Sequence, residues 1–381
     1  MTQVSSRSQK ITSFIVMDVL ERAHELEKEG RDIIHLEVGE PDFPTPPPIS
    51  EAAINAIRRE ETHYTHSLGL LELREAVCEH YSDKYGVTID PGRVVITSGT
   101  SPALFMIYSA LLDPGDEIIL SNPHYPCYPN FALFLRAIPS FVDVYEEDGF
   151  QYRPSEIRKK ISERTEAVLI NSPSNPTGNL LSPERMGEIA EIGLPVISDE
   201  IYHGLVYGEK EHSILEFTDH AFVVNGFSKL HAMTGWRLGY AIVPPDFVRP
   251  IQKIQQNFYI SASSIAQWAG IAALTKADRE IDKIRSVYNE RRLFMIDRLK
   301  KMGFKLPVEP KGAFYVFVNA GHISDNSYDL SFEILEKAGV GVTPGIDFGK
   351  NGEGYLRFSY ANSIENIAEG LNRLEKYLKE R

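Results

Sequence analysis

A chain of 381 residues, 43% hydrophobic and 24% charged, has an ordinary globular composition and the length for one large domain with a smaller one beside it. A formal net charge of -13 argues against nucleic acid or an anionic membrane as the main partner, since either would select a basic face, and two cysteines, Cys78 and Cys127, exclude a disulfide framework and show no metal-binding spacing. Met1 to Lys10 is polar without an apolar signal core, and no run approaches the roughly 18 apolar residues of a membrane helix, so the expectation is a cytosolic enzyme.

In chain order, Ile11 to Lys28 has the spacing of an amphipathic helix ending near Gly30, and Ile33 to Val38 reads as a short strand. Gly39 to Pro44 is too rich in glycine and proline for regular structure. Helices are predicted from about Ile49 to Arg59 and from Leu70 to Tyr85, with a loop at His63 to Gly69 between them. His63 and His66 stand three apart, but no carboxylate or cysteine shares their spacing and no metal site is assigned. Strand, turn and helix then alternate. The strands are Arg93–Thr97, Glu117–Leu120, Ser140–Val144, Ala167–Ile170, Pro195–Ser198, Ala221–Val224 and Leu238–Val243. Such alternation predicts an α/β fold with a mainly parallel seven-stranded sheet, helices on both faces and ligands at the strand ends.

The residues at those ends carry chemistry. Ser98-Gly99-Thr100-Ser101-Pro102 opens a helix, with Ser101 as the expected N-cap and free backbone N–H groups suited to an anion. Asn122 to Tyr128 is a loop restrained by two prolines that can present Tyr125 broadside to a flat ring, with Tyr128 left to packing. Asn175-Pro176-Thr177-Gly178 is a turn. Asp199 puts a carboxylate at a buried strand end, which costs several kcal/mol unless a cation meets it, and Tyr202 follows three residues later. Lys229, between Phe227 and Leu230, is either a solvated lysine or one whose pKa burial lowers toward a reactive amine. Eight residues on, Arg237 is placed to hold an anion. A long helix is predicted from about Ala266 to Met302, with Ile281, Ile284, Val287 and Leu293 on its apolar face. Beyond it, strands are expected at Ala313–Val318 and Tyr355–Ser359, and Arg357 inside the second wants a carboxylate.

From Gly39 to Arg357 these motifs, with Gly226 to Gly239 at their centre, resemble in order and spacing the class I/II aminotransferases, fold type I enzymes that use pyridoxal 5'-phosphate. The resemblance implies a large cofactor-binding domain over residues 46–275 and a small α+β domain built from 1–45 and 276–381. It implies that Lys229 forms the Schiff base and shuttles protons, that Asp199 keeps the pyridine nitrogen protonated, and that Tyr202 and Asn175 donate to the cofactor's phenolic oxygen. By the same resemblance Gly99, Thr100, Ser101 and Arg237 hold the phosphate, Tyr125 stacks on the ring, Tyr64 reaches the phosphate in a neighbouring subunit, and Gly39, Asn175 and Arg357 take the substrate carboxylate. Gly312 to Tyr315 lines the pocket, and the bonds Asn122-Pro123 and Asn175-Pro176 are expected to be cis.

The implied reaction is ping-pong transfer of an amino group between an L-amino acid and a 2-oxo acid such as 2-oxoglutarate, by a homodimer with shared active sites. A carbon–sulfur β-lyase on the same scaffold is the alternative; a cofactor-sensing regulator would need a DNA-binding extension and a basic surface. The chain departs from some relatives at Gly226, where they place a phosphate-binding serine, and Ser228 is the expected substitute. Gln255 to Gln267 lacks the arginine that dicarboxylate specialists use, which favours neutral or aromatic amino acids, with aspartate not excluded. Phe14, Ile15, Tyr64 and Tyr259 are candidates for the side-chain pocket.

Overall fold

Residues 4–381 are described by a computed structural model. All seven expected strands join one sheet, in the order Val94–Thr97, Gly239–Ile242, Ala221–Gly226, Val196–Asp199, Thr165–Asn171, Glu117–Asn122, Ile138–Asp143. Only Gly239–Ile242 runs antiparallel to its neighbours. Side chains alternate between the faces, and both faces are apolar: Ile96, Ile119, Val168, Ile170, Val196 and Val223 pack on one side, Val95, Ile118, Leu120, Leu169, Ile197 and Phe222 on the other. A sheet apolar on both sides must be covered on both sides, and helices supply the cover.

A three-stranded antiparallel sheet of Thr343–Pro344, Tyr355–Ser359 and Tyr315–Asn319 forms a second unit. The expected strand at Ile33–Val38 is only Ile34–His35, paired in parallel with Val340–Gly341. It ends because the carbonyl of Glu37 turns to accept from Arg357 Nη2 at 2.6 Å instead of continuing the ladder. The long helix is two, Ser264–Lys276 and Asp278–Lys301, broken at Ala277, whose φ of -108° and ψ of 5° leave helical geometry. Leu293 lies half exposed on the outer side of the second, contrary to expectation, while Met295 and Ile296 face the core.

The register positions the chemistry. Asn171 pairs with Asp199 and Asp199 with Val224, while Thr97 and Gly226 both pair with Gly239, so the carboxyl ends of the parallel strands open on one crevice.

Candidate active site

That crevice is a cavity of about 340 Å³, lined by Gly39, Thr100, Ser101, Tyr125, Asn175, Asp199, Tyr202, Ser228, Lys229, Arg237 and Arg357 among others. Of the residues expected to bind cofactor or substrate carboxylate, only Gly99 and Tyr64 do not line it, and of the expected Gly312–Tyr315 wall only Tyr315 does. Gly99 lies just behind. It is the N-cap of the Thr100–Leu111 helix, with φ of 100°, and a Cβ there would stand 2.7 Å from the Arg237 guanidinium. Glycine is needed for both reasons, and Ser101 is the second helical residue rather than the cap. Thr100 and Ser101 therefore bring first-turn N–H groups to the cavity, beside a guanidinium: the elements of an anion site.

Gly239 and Gly226 are small for a related reason. A Cβ at Gly239 would lie 2.9 Å from the Gly99 carbonyl carbon, and one at Gly226 would lie 2.9 Å from Gly239 Cα. A serine at 226 has no room against this strand pair. Ser228, buried and lining the cavity, is the hydroxyl that remains on that side.

Lys229 follows the Ala221–Gly226 strand and donates from Nζ to the carbonyl of Gly39 at 2.8 Å. Desolvation lowers its pKa to about 8; Glu40 opposes the shift, and Arg357 and Arg237 assist it. Such an amine is neutral, and nucleophilic, in a useful fraction near neutral pH. Asp199 is buried, accepts from Tyr128 Oη at 2.7 Å and from the Ile201 N–H at 3.1 Å, and burial raises its pKa to about 6. The tyrosine left to packing thus also hydrogen-bonds a candidate site residue. Tyr125 and Tyr128 both follow the Glu117–Asn122 strand, which the Thr165–Asn171 strand separates from the one ending in Asp199, so sequence spacing gave no signal of this bond.

Tyr202 Oη and Tyr315 Oη lie 2.9 Å apart, and a Cβ at Gly39 would stand 2.0 Å from Tyr315 Oη, so glycine at 39 makes room for this pair. Arg357 is 2% exposed. It donates to Asn175 Oδ1 at 2.8 Å, Glu37 O at 2.6 Å and Thr343 Oγ1 at 3.1 Å, and its charge lies between the rings of Tyr315 and Phe348, 4.3 and 4.9 Å from their centroids. Cation–π contacts of this desolvated kind contribute about 2 kcal/mol. Its Nε has no partner, a free buried donor. Asn175 spends Oδ1 on Arg357 and its own N–H on Asn171 Oδ1 at 2.8 Å.

Two positioning contacts escaped the sequence reading. Asn122 Oδ1 accepts from Asn351 N at 3.0 Å and His124 N–H donates to Phe348 O at 2.9 Å, so the loop carrying Tyr125 is stitched to the segment under Arg357. Asn122-Pro123 and Asn175-Pro176 are cis as expected, and Ser172-Pro173 is cis as well. His66 Nδ1 accepts from the Leu68 N–H at 3.2 Å, a local turn contact. Of the side-chain pocket candidates, Phe14 lines the cavity, whereas Ile15, Tyr64 and Tyr259 do not.

A buried carboxylate, a desolvated lysine, the elements of an anion cradle and a buried arginine, all around one cavity at the carboxyl ends of a mainly parallel sheet, make a site suited to an enzyme that handles anionic, carboxylate-bearing ligands. The family described as aminotransferase class I and II matches residues 31–374, and the chain belongs to it. Members of this fold type I family use pyridoxal phosphate to move an amino group between an amino acid and a 2-oxo acid, and that is the activity of this enzyme. Over 98% of its length the chain is 44% identical to the (5-formylfuran-3-yl)methyl phosphate transaminase of Methanocaldococcus jannaschii, covering 99% of that protein. It is 40% identical to the aspartate aminotransferase of Pyrococcus horikoshii, over 96% of this chain and 94% of that one. A Methanococcus jannaschii crystal structure, whose active site resembles that of kynurenine aminotransferases, matches 99% of this chain and 100% of its own at 44% identity and a TM-score of 0.92. No helix among the described residues is long and apolar enough to cross a membrane.

Proposed function

We propose that the enzyme transfers amino groups from neutral or aromatic L-amino acids, and from aspartate without preference for it, to 2-oxoglutarate or a similar 2-oxo acid, as a cytoplasmic homodimer. The cavity wall carries the substrate reading. Among the described residues its cations are Lys229, Arg237 and Arg357, each with a task, and the lining residues left for a side chain include Phe14, Val16, Met17, Leu20 and Leu104, together with the carboxylate of Glu40. Among the described residues of this chain, a side-chain carboxylate meets no spare cation in the cavity wall. Lacking a dedicated ion pair costs on the order of 2–5 kcal/mol of discrimination.

The residues fit the cofactor. Arg237 with Gly99, Thr100, Ser101 and Ser228 would hold the phosphate, Tyr125 the ring face, Asp199 the ring nitrogen, and Asn175 and Tyr202 the phenolic oxygen. Gly99 supports this, because any side chain there would push the Arg237 guanidinium out of the cradle. Bound, pyridoxal phosphate supplies an aldehyde that condenses with amines and a protonated ring that draws electrons from the substrate's α-carbon. The protein's own part is to hold and move protons. Arg357 and Asn175, with the Gly39 backbone, would orient the substrate carboxylate, and Lys229, within reach of the Gly39 carbonyl, would take the proton from the α-carbon as general base and deliver it as general acid to the carbon that was the cofactor's aldehyde.

Tyr64 supports the dimer. It is 82% exposed and lies outside its own cavity, and bonds from Gln252 and Gln256 to Ser67 Oγ bring its loop beside Phe258 and Ile260, themselves exposed. An apolar patch of this kind suits a two-fold contact in which each chain completes its partner's site. The domain division at residues 46 and 275 is also proposed, supported by the pairing of Ile34–His35 with Val340–Gly341.

The test is kcat/KM for aspartate, alanine, phenylalanine, leucine and methionine with 2-oxoglutarate, in the presence of pyridoxal phosphate. Phenylalanine and leucine are expected to equal or exceed aspartate. An aspartate preference of about a thousandfold would mean that a basic residue from the other subunit faces the side chain. Adding (5-formylfuran-3-yl)methyl phosphate as acceptor asks whether the activity named for the 44% identical relative extends to this chain. Pyruvate and sulfide released from cysteine without an acceptor would point to the lyase.

A further inference from the structure

Away from the cavity lining, the Ile15–Lys28 helix and the Ile34–His35 strand bring three ligand-type side chains together. His24 and Glu27 stand three residues apart on one face of the helix, and His35 reaches them from the strand; one ligand atom from each lies within 4.8 Å of the others. His35 Nε2 is 3.2 Å from Glu27 Oε1. Two donors held at about 2.1 Å by a tetrahedral zinc-type ion are about 3.4 Å apart, so this pair already has a coordinating separation. The His24 and His35 rings are 5.8 Å apart and inclined at 52°, so they meet at an angle and are not stacked face to face.

The far side of His35 is held as well. Its Nδ1 lies 2.6 Å from Oε1 of Glu37, which is fully buried. A carboxylate on the second ring nitrogen fixes the orientation of an imidazole and raises its basicity, and metal-ligating histidines almost always have such a partner. Glu37 cannot easily drift, because it packs so tightly on Gly341 that a Cβ there would stand 2.0 Å from Oε2. The strand is pinned in turn by Asn362 Nδ2, which donates to the carbonyl of His35 at 3.0 Å.

We propose that His24, Glu27 and His35 form a binding site for a divalent transition ion of the zinc class, with Glu37 orienting His35 and solvent completing the coordination. Two imidazoles select such an ion over magnesium or calcium, which take oxygen ligands. On binding, the Nε2–H bond of His35 breaks, its proton passes to the buffer and the freed lone pair goes to the ion; Glu27 exchanges a hydrogen bond for a coordinate bond, and nothing is oxidised or reduced. The ion ties the helix to the strand. Both lead into the cavity wall, the helix through Val16, Met17 and Leu20 and the segment that follows the strand through Val38 and Gly39, so the tie braces that wall of the active site.

The test uses chelator-treated, cofactor-loaded enzyme, titrated with Zn2+ by calorimetry in two buffers of different ionisation enthalpy and with Co2+ by visible absorption. One ion per chain, proton release to the buffer and a four-coordinate cobalt spectrum are expected. H24A, E27Q and H35Q should each weaken binding at least tenfold and E37Q about 10- to 100-fold, with H63A as the unaffected control. His24 and Glu27 are exposed, so H24A and E27Q retain the fold and keep the test decisive even if H35Q does not. Binding weaker than millimolar in the wild type, or wild-type affinity in H24A and E27Q, would overturn the proposal.

Discussion

Asp199 and Glu200 are consecutive buried carboxylates at one strand end, and they serve opposite sides of it. Glu200, behind the sheet, is fully engaged: Oε1 accepts from Ser198 Oγ, Ser213 Oγ and the Ile214 N–H at 3.0, 2.9 and 3.1 Å, and Oε2 from Tyr81 Oη at 3.0 Å. Tyr81 accepts in turn from Asn225 Nδ2, and Tyr85 meets His203 Nδ1 nearby. Asp199, in front, has two donors and faces the cavity, and burial holds its pKa up at about 6. A carboxylate satisfied from within the chain braces the fold. One left short of partners beside a cavity is ready for a cation brought by a ligand.

If that division is right, changes in front remove activity and spare stability, and changes behind do the reverse. The largest effect belongs to K229A, which should lower turnover by several orders of magnitude while the cofactor-free protein unfolds at the same urea concentration or a higher one, since a desolvated ammonium is gone. Near-wild-type turnover would remove Lys229 from the chemistry. D199N should cost about 10²–10³-fold in kcat, the usual loss for one preorganised electrostatic partner, again without loss of stability. E200A is the counterpart. Stranding Tyr81, Ser198, Ser213 and the Ile214 N–H should destabilise the fold by about 3–5 kcal/mol, and any surviving folded enzyme should keep a kcat within about tenfold of wild type. A stable E200A enzyme with lost activity would show that the two sides of the strand are not separable.

The pH dependence of the cofactor-free protein sharpens the same contrast. Burial raises Asp199 from an ordinary 3.8 to about 6, so between about pH 4 and 6 the folded chain holds a proton that the unfolded chain has released, and stability from this group falls as pH rises through that window. Asp347, also raised to about 6 by burial, acts with the same sign. His80 and His124, pushed down to about 4 by desolvation, act against it, because the unfolded chain binds protons there that the folded chain does not. The readout is therefore the difference between wild type and D199N in urea unfolding: equal near pH 4, with D199N the more stable by about 2–3 kcal/mol above pH 6.5. Parallel curves would mean that the carboxylate is not desolvated.

Much of this was legible in the sequence because it depends on local pattern. The seven strands announce themselves as short apolar runs, and the site residues cluster at their ends, where a parallel sheet has to place them. What could not be read is where a side chain finds its partner. The break at Ala277 is hidden because the residues on both sides continue a helical pattern, and only the backbone turn shows it. Ser101 satisfies the rule for a cap, yet the approach of Arg237 gives that place to Gly99. The acceptors of Tyr81 and Tyr128, 119 and 71 residues away along the chain, follow from the packing of helices on the sheet. The same holds for His35 and Glu27, which sequence reading left unconnected.

Tyr128 gives the smallest effect and the finest test, because it touches the front carboxylate from the side. Its hydroxyl donates to Asp199 Oδ2 at 2.7 Å, a bond to the charged form of the acid, and so holds the Asp199 pKa below what burial alone would give. In Y128F the ring still packs but the donor is lost, and the Asp199 pKa rises. With pyridoxal phosphate bound, Asp199 then pairs less firmly with the ring nitrogen, and the loss of one charge-assisted hydrogen bond, about 1.5 kcal/mol, corresponds to roughly tenfold in kcat. A merely structural tyrosine would lower kcat uniformly across pH or weaken the fold. A tyrosine acting through Asp199 shifts the acid limb of the kcat profile to higher pH and leaves the KM for the amino acid nearly unchanged, since in the proposed arrangement the substrate carboxylate falls to Arg357 and Asn175. Combining Y128F with D199N supplies the control: once the carboxylate is gone, removing its donor should cost almost nothing further, whereas two independent losses that multiply would place Tyr128 outside the Asp199 pair.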